Sequence, residues 1–376
     1  MTGQVLINTV SLSSGALTRE RHLLTGLLGD GNTDNLEFHV FCTAETAALF
    51  DSLTASLHVT DHPDGTAGRL LWENTSLLGA VRQIDPDLLY FPLHITNLID
   101  ACPKVGAVRN AAPYYPEAHR DAPRRERARL RVLRAATRRT VRQSAAVVFM
   151  SETTRDRVAA EVPDAREKGV VIPHGTPEGF EPIDPDESVL DAYGLPDRFL
   201  FTVSNVARYK NLVELVDGYA GARSRTDVPP LCIAGKIIDE SYATAVRSRI
   251  RDRGLTDDVH LLGFVDHDDL PHLHAACDLF VFSSACENAP VSLVEALACG
   301  DAVATSNAAS MPEICGDAAA YFDPYDPADI GQTIADLRDD TARREELADL
   351  ALSRADSYRW DHAVNRTARL FTELVG

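Results

Sequence analysis

The chain alternates short apolar runs with helical stretches, and it does so twice. VLINTV (5–10), EFHVFC (37–42), LLYFPL (88–93), VGAV (105–108), AAVVFM (145–150) and VVIP (170–173) read as buried strands. The pattern restarts with FLFTVS (199–204), LCIAG (231–235), VHLLG (259–263), LFVFSS (279–284), AVATS (302–306) and AAYF (319–322). Strand–helix–strand repetition with short connections predicts right-handed crossovers and parallel sheets. PHGTPEGFEPIDPDESV (173–189) is rich in Pro, Gly and acid and has no periodicity, so it separates the two repeats. The reading is an α/β chain of two doubly wound, Rossmann-like domains facing each other across a cleft. Their spans are 1–178 and 179–357. Ligands of such folds sit at the carboxyl ends of the strands, which places the expected site in the cleft.

Several function classes are excluded or demoted. No GxGxxG follows the first strand, and neither GxxxxGK[ST] nor GxSxG occurs, which argues against a nicotinamide oxidoreductase, a P-loop NTPase and an α/β-hydrolase. The net charge of −19 argues against nucleic acid as a partner. The seven cysteines are scattered with no CxxC, the pattern of reduced thiols in a cytosolic protein. His272, His274 and Cys277 are close in sequence, but the two histidines do not share a helix face, and no metal site is expected. Asp85 and Asp87 flank Pro86 in a DPD that reads as a helix-to-strand turn. No apolar run reaches the ~20 residues of a membrane span, and the start of the sequence lacks the pattern of a signal peptide. A cytoplasmic protein is the expectation.

The segment 279–324 carries the chemistry. A strand ends at Ser284, a loop holds Glu287 and Asn288, a helix begins near Pro290, and Gly300 ends it. Glu295 then falls on the second turn. Backbone N–H groups around Ala289, Val291 and Ser292 form an anion-binding helix start, bracketed by the two glutamates. That arrangement suits a diphosphate with hydroxyls on both sides, as in a nucleotide sugar. A second strand end, SNVARYKNLVEL (204–215), supplies Arg208 and Lys210 as counter-charges. The chain has only four lysines, so a lysine here points to a need for a compact charge.

These residues resemble the retaining glycosyltransferases of the GT4 family, which have the GT-B fold. Glu287 and Glu295 match that family's E-x7-E motif. VEALACG (294–300), SNAASMPEICGDAA (306–319), VARYKN (206–211), VVIPHG (170–175) and LLGFVDHDDLPHLHAACDLFVF (261–282) match its surroundings in order. The resemblance implies transfer of a hexose from a UDP- or GDP-hexose to a glycan or lipid-linked acceptor, with no cofactor and no metal. Glu295 would bind the ribose, Glu287 the donor sugar, and Arg208 and Lys210 the diphosphate. Asn288, Ala289, Pro290 and Val291 would contact sugar and phosphate, and Val265 would lie near the base. Gly15 stands where many members carry a second glycine, Arg109 and Asn110 stand where many carry His-Asp, and His94 is near the place of a sugar-facing histidine. The last helix, about 358–376, would cross back to the first domain. A GT-B phosphorylase or epimerase, or a catalytically silent nucleotide-sugar-binding subunit, remain alternatives.

Residues 120–142 hold ten arginines against Asp121 and Glu126. Arg120, Arg124, Arg127, Arg131, Arg134, Arg138 and Arg142 recur at steps of three and four, hence one stripe of a helix. Leu130, Leu133 and Val141 fall on a neighbouring stripe. An anionic membrane surface or lipid-phosphate acceptor is the expected partner of this face, and peripheral attachment to the inner face of the membrane is the expected location.

Overall fold

Alternate residues of a strand point to opposite faces, and in the central strands both sets are apolar. In the strand at Phe199–Val203, Leu200 packs in one cluster while Phe199 and Phe201 pack in another. A strand buried on both faces needs cover on both sides, which crossover helices provide. The computed structural model describes residues 2–10, 12, 14–29, 33, 35–61, 65–94, 97, 99–119 and 122–376. It divides into two units.

The first unit comprises residues 1–114, 124–175 and 359–376. Its elements begin with β1 (Gly3–Asn8), α1 (Ser14–Gly29), β2 (Leu36–Cys42), α2 (Ala44–Ala47) and β3 (Ser56–Val59). They continue with α3 (Gly65–Asn74), α4 (Ser76–Ile84), β4 (Leu88–Phe91), β5 (Lys104–Val108) and α5 (Arg124–Gln143). Then come β6 (Ala146–Phe149), α6 (Glu152–Ala159), α7 (Asp164–Glu167) and β7 (Gly169–Val171). The seven strands run in the order β3-β2-β1-β4-β5-β6-β7, all pairs parallel. Leu6, Leu89, Phe91, Trp72, Leu77 and Val81 fill one side of the sheet. Asp85 ends α4 in the left-handed region at φ 51°, which turns the chain toward β4, and Asp87 Oδ2 accepts from Gln4 N of β1 at 2.8 Å, which ties that turn to the sheet.

The second unit comprises residues 115–123 and 176–358. It holds α8 (Glu187–Ala192), β8 (Phe199–Val203), α9 (Leu212–Arg223), β9 (Leu231–Ala234), α10 (Glu240–Asp252) and β10 (Val259–Gly263). There follow α11 (Leu270–Ala276), β11 (Cys277–Phe282), α12 (Val291–Cys299), β12 (Val303–Ser306), α13 (Met311–Cys315) and β13 (Ala320–Phe322). α14 (Pro327–Asp339) and α15 (Thr341–Ala355) complete it, and α16 (Trp360–Val375) belongs to the first unit. The sheet order is β10-β9-β8-β11-β12-β13, again parallel throughout. All six strands expected in this half are present. The first half has one more than expected, the edge strand β3.

All seven cysteines are free. Burial pushes the Cys102 thiol to about 11 and Cys232 to about 12, and raises Cys42, Cys277, Cys299 and Cys315 as well. No described helix is long and apolar enough to cross a membrane.

Gly235 follows β9 at φ 148°, and a Cβ there would sit 2.1 Å from Ser204 O and 2.9 Å from Asn205 N. The backbone after β8 and the backbone after β9 touch at this residue. Gly235→Ala is expected to cost about 2 kcal/mol or more, read as a lower urea midpoint with unchanged slope.

Candidate active site

β8 runs into a single 3-10 turn at Arg208–Lys210, and Asn211 then adopts φ 51° before α9. Asparagine tolerates this left-handed conformation better than most residues. Its side chain is fixed, Nδ2 donating to Pro324 O at 3.0 Å. The turn carries Lys210 into the protein, where it is buried. Lys210 Nζ lies 2.6 Å from Glu287 Oε1. Ser284 Oγ donates to the same oxygen at 2.7 Å. Ser283 Oγ donates to Lys210 O at 2.8 Å, and Ala285 N donates to Tyr209 O at 2.8 Å. The ammonium also lies 5.0 Å from the centroid of the Phe282 ring. Two loops far apart in sequence are thus joined by charge and by backbone.

The loop after β11 then enters α12. Pro290 is its N-cap residue (φ −70°, ψ 116°), one position earlier than a first helical residue, and Gly300 ends it at φ 78°. Ser310 Oγ fixes the loop by donating to Glu287 O at 3.2 Å. Asn288 and Pro290 are buried, whereas Ala289 and Val291 are half-buried. Glu295 lies on the second turn, as expected, with 4% of its surface exposed. Burial pushes its carboxyl up to about 7, opposed only by His274. His267 Nδ1 lies 4.0 Å from its Oε1. The two glutamates therefore differ in kind: Glu287 is ion-paired and hydrogen-bonded, and Glu295 is desolvated without a close cation.

Arg208 is not held toward Lys210. Its Nε lies 3.1 Å from Asp239 Oδ2, its Nη2 donates to Ser241 Oγ at 2.6 Å, and its Cζ is 5.7 Å from the Tyr242 ring centroid. Asp239 is the N-cap of α10, its carboxylate accepting from Tyr242 N. Neither Asp239 nor Ser241 stood out in the sequence; an N-cap Asp just before a helix was the signal available. Val265 is buried in the apolar cluster with Phe180 and Leu270, so its side chain is core and only its backbone can serve a ligand. Beside it, Lys236 Nζ lies 4.3 Å from the centroid of the exposed Phe264 ring.

His272 and His274 have separate partners. His272 Nδ1 accepts from Asp186 N at 3.2 Å, and His274 Nδ1 lies 2.6 Å from Asp301 Oδ2. Among the described residues no three His, Cys, Asp or Glu are grouped to hold a metal ion.

In the first unit, Gly15 lies in the first turn of α1, not in a loop. His94 Nε2 is 2.9 Å from Thr137 Oγ1. That hydroxyl donates to Leu133 O at 3.0 Å, so the imidazole is the donor to it. Arg109 Nε donates to Pro92 O at 2.6 Å, and its Nη2 pairs with Glu20. Asn110 Oδ1 accepts from Ala112 N at 2.9 Å and shapes its own turn. Leu130, Thr137, Thr140 and Val141 of α5 are buried, and Arg124, Arg127 and Arg131 are exposed. Arg120 lies outside the described residues. Arg134 and Arg138 both pair with Glu161, an acid beyond the run itself. The stripe is therefore partly neutralised within its own unit.

Residues 192–353 match the family model described as glycosyl transferases group 1. That span lies inside the second unit and contains Arg208, Lys210, Glu287 and Glu295. The match covers under half of the chain. The serotype-specific mannosyltransferase WbdA of Escherichia coli is 28% identical to the chain over 236 residues, 61% of this chain and 29% of that protein. The O-antigen chain mannosyltransferase B of Escherichia coli is 30% identical over 167 residues, 44% of this chain and 43% of the other. The chain thus spans under a third of WbdA and under half of mannosyltransferase B. HepE from Anabaena, whose structure is a complex with UDP and glucose, aligns over 99% of this chain and 100% of its own. Its TM-score is 0.75 at 20% identity. The chain has the GT-B fold, with one parallel sheet in each of its two units.

Removing one partner of the Lys210–Glu287 pair leaves a largely buried charge uncompensated. A double-mutant cycle with Lys210→Ala and Glu287→Ala, read by urea denaturation, is expected to give a coupling of about 1–3 kcal/mol. Independent, additive losses would show that the two side chains do not hold each other in solution.

Proposed function

We propose that the chain is a retaining glycosyltransferase that moves a hexose from a nucleoside-diphosphate sugar to an acceptor hydroxyl during assembly of a cell-surface glycan or glycolipid. The observation that carries this reading is the pairing of a buried lysine with the first glutamate of an E-x7-E motif, eight residues ahead of a desolvated second glutamate. UDP in the HepE complex supports a nucleoside diphosphate on the donor, and the mannosyltransferase relatives support a hexose as the group moved; UDP- and GDP-hexoses are the donors to test.

In this reading the bond from the anomeric carbon to the diphosphate oxygen breaks, the acceptor oxygen bonds to that carbon, and the acceptor's hydroxyl proton passes to the departing diphosphate. Negative charge grows on the diphosphate. Lys210 and the backbone N–H groups opening α12 stabilise that charge where it develops. Arg208 contributes once it leaves Asp239 for the stronger anion. Glu287 keeps Lys210 in place and faces the donor sugar. Glu295 accepts from the ribose hydroxyls. Charge stabilisation by these groups does not call for a metal, and activity should persist in EDTA.

The first unit takes the acceptor in this reading. Arg124, Arg127 and Arg131 leave α5 with an exposed cationic face, and each can contribute ~1 kcal/mol beside an anionic bilayer. The protein then works at the inner face of the membrane as a peripheral, cytoplasmic enzyme. Flotation with anionic liposomes at low salt, absent with neutral ones and lost when the three arginines become glutamine, is the expected result. Equal behaviour with both lipids would mark α5 as ordinary surface.

The decisive experiment incubates the chain with UDP- and GDP-hexoses and glycan acceptors and follows the anomeric configuration by NMR. Lys210→Ala should lower turnover by about 100- to 1,000-fold. Glu295 gives a pH test. Its carboxyl, raised to about 7, must be ionised to accept fully from the ribose. Nucleotide affinity should therefore rise from about pH 6 to about pH 8 in the wild type. In Glu295→Gln it should stay flat and lie about ten- to a hundredfold weaker at the upper end. Unchanged affinity in Glu295→Gln, with the fold intact, would remove the ribose assignment.

A further inference from the structure

The first unit contains a buried charge cluster that neither the donor site nor the basic helix uses. Glu20 on α1 is fully buried and its neighbour Arg19 nearly so. Arg19 Nη1 lies 2.7 Å from Glu20 Oε1. Arg109, one residue past β5, pairs with the same oxygen. The Tyr90 hydroxyl on β4 donates to it at 3.4 Å. Three donors therefore converge on one carboxylate oxygen. Glu20 Oε2 and Arg19 Nε are buried with no hydrogen-bond partner among the described residues. His174, past β7, lies in the field of both guanidiniums. Burial, then Arg19 and Arg109, hold it well below the ordinary imidazole range, so at neutral pH it adds no charge. The cluster holds two cations and one anion. Among the described residues one positive charge is left over in a place shielded from water, where an uncompensated charge is costly.

Its place in the sheet is as informative as its charge. With the order β3-β2-β1-β4-β5-β6-β7, the sheet grows one way from β1 to β3 and the other way from β4 to β7. The reversal falls between β1 and β4. Helix α1 follows β1, Tyr90 is on β4, Arg109 caps the carboxyl end of β5, and His174 follows β7. Open parallel sheets take ligands outside the carboxyl ends of their strands at such a reversal. Arg109 is the outer member of the cluster, with 11% of its side chain accessible against none for Glu20.

We propose that this cluster is an oxyanion site that takes a phosphate or carboxylate group of the acceptor against Arg109, with Arg19 behind it. It rests on the reading that the first unit receives the acceptor. The anion supplies the charge that the cluster lacks, and a guanidinium fork suits a planar or tetrahedral oxyanion through paired N–H bonds. The consequence is a preference for acidic acceptors over neutral ones, set in a chain whose overall charge is strongly negative.

Isothermal titration of the full chain with glucose, glucose 6-phosphate and glucuronate tests this, with UDP and GDP both present to occupy the donor side. At least one charged sugar is expected to bind ten times more tightly than glucose, and the two charged arms tell phosphate from carboxylate. Arg109→Gln should abolish that preference. Glu20→Gln, which raises the positive excess to two charges, should strengthen it several-fold. Misfolding does not increase affinity, so the Glu20→Gln arm decides the matter if Arg109→Gln fails to fold. Equal or absent binding of the three sugars, or a preference that neither variant changes, would overturn the proposal. UDP and GDP titrated alone report separately on the donor reading. Nucleotide binding without a charged-sugar preference removes only the oxyanion site, whereas the preference without nucleotide binding removes only the donor assignment.

Discussion

β8 and β11 run side by side and parallel, so the chain leaves both strands at the same edge of the sheet. Everything in the second unit's site follows from that adjacency. Lys210 comes from one exit loop and Glu287 from the other, 77 residues apart in sequence, and they meet at 2.6 Å. Backbone and hydroxyl contacts from Ser283 and Ala285 secure the same two loops. Without parallel pairing the two charges would leave opposite ends of the sheet, and the start of α12 would face no cation.

Desolvation then gives similar side chains different tasks. Glu287 keeps a cation and a hydroxyl, while Glu295, eight positions on, is enclosed by the helix core and titrates near neutrality. Arg208 and Lys210 differ in the same way. The lysine is buried against a carboxylate and an aromatic face, and the arginine lies near the surface with Asp239 and Ser241. A ligand that offers a stronger anion than Asp239 meets a guanidinium that is only lightly committed.

The strands of both sheets were legible because two-sided burial writes continuous apolar runs, as in LLYFPL and LFVFSS. β3 was not, since SLHV sits at the edge, is only partly buried and carries a histidine that packs on Phe41. The motif glutamates and Lys210 were legible through their spacing from strand ends and through a resemblance in order. Arg19 and Glu20 were not: adjacent opposite charges on a helix read as a solvated face. Only the fold brings Arg109 to them from 89 residues away. The arginine stripe was read with only Asp121 and Glu126 against it because a further neutralising partner, Glu161, lies beyond the helix that carries it.

The free cysteines have a use that follows from where they sit. A thiol whose ionisation is pushed up by burial is a poor nucleophile for as long as the fold around it is closed. Cys42 ends β2 of the first sheet and Cys102 packs against that sheet's core, while Cys232, Cys299 and Cys315 belong to the second unit's core. Alkylation of the first pair therefore times the opening of one unit, and alkylation of the second set times the opening of the other. The native chain carries two built-in clocks, one for each half of its fold.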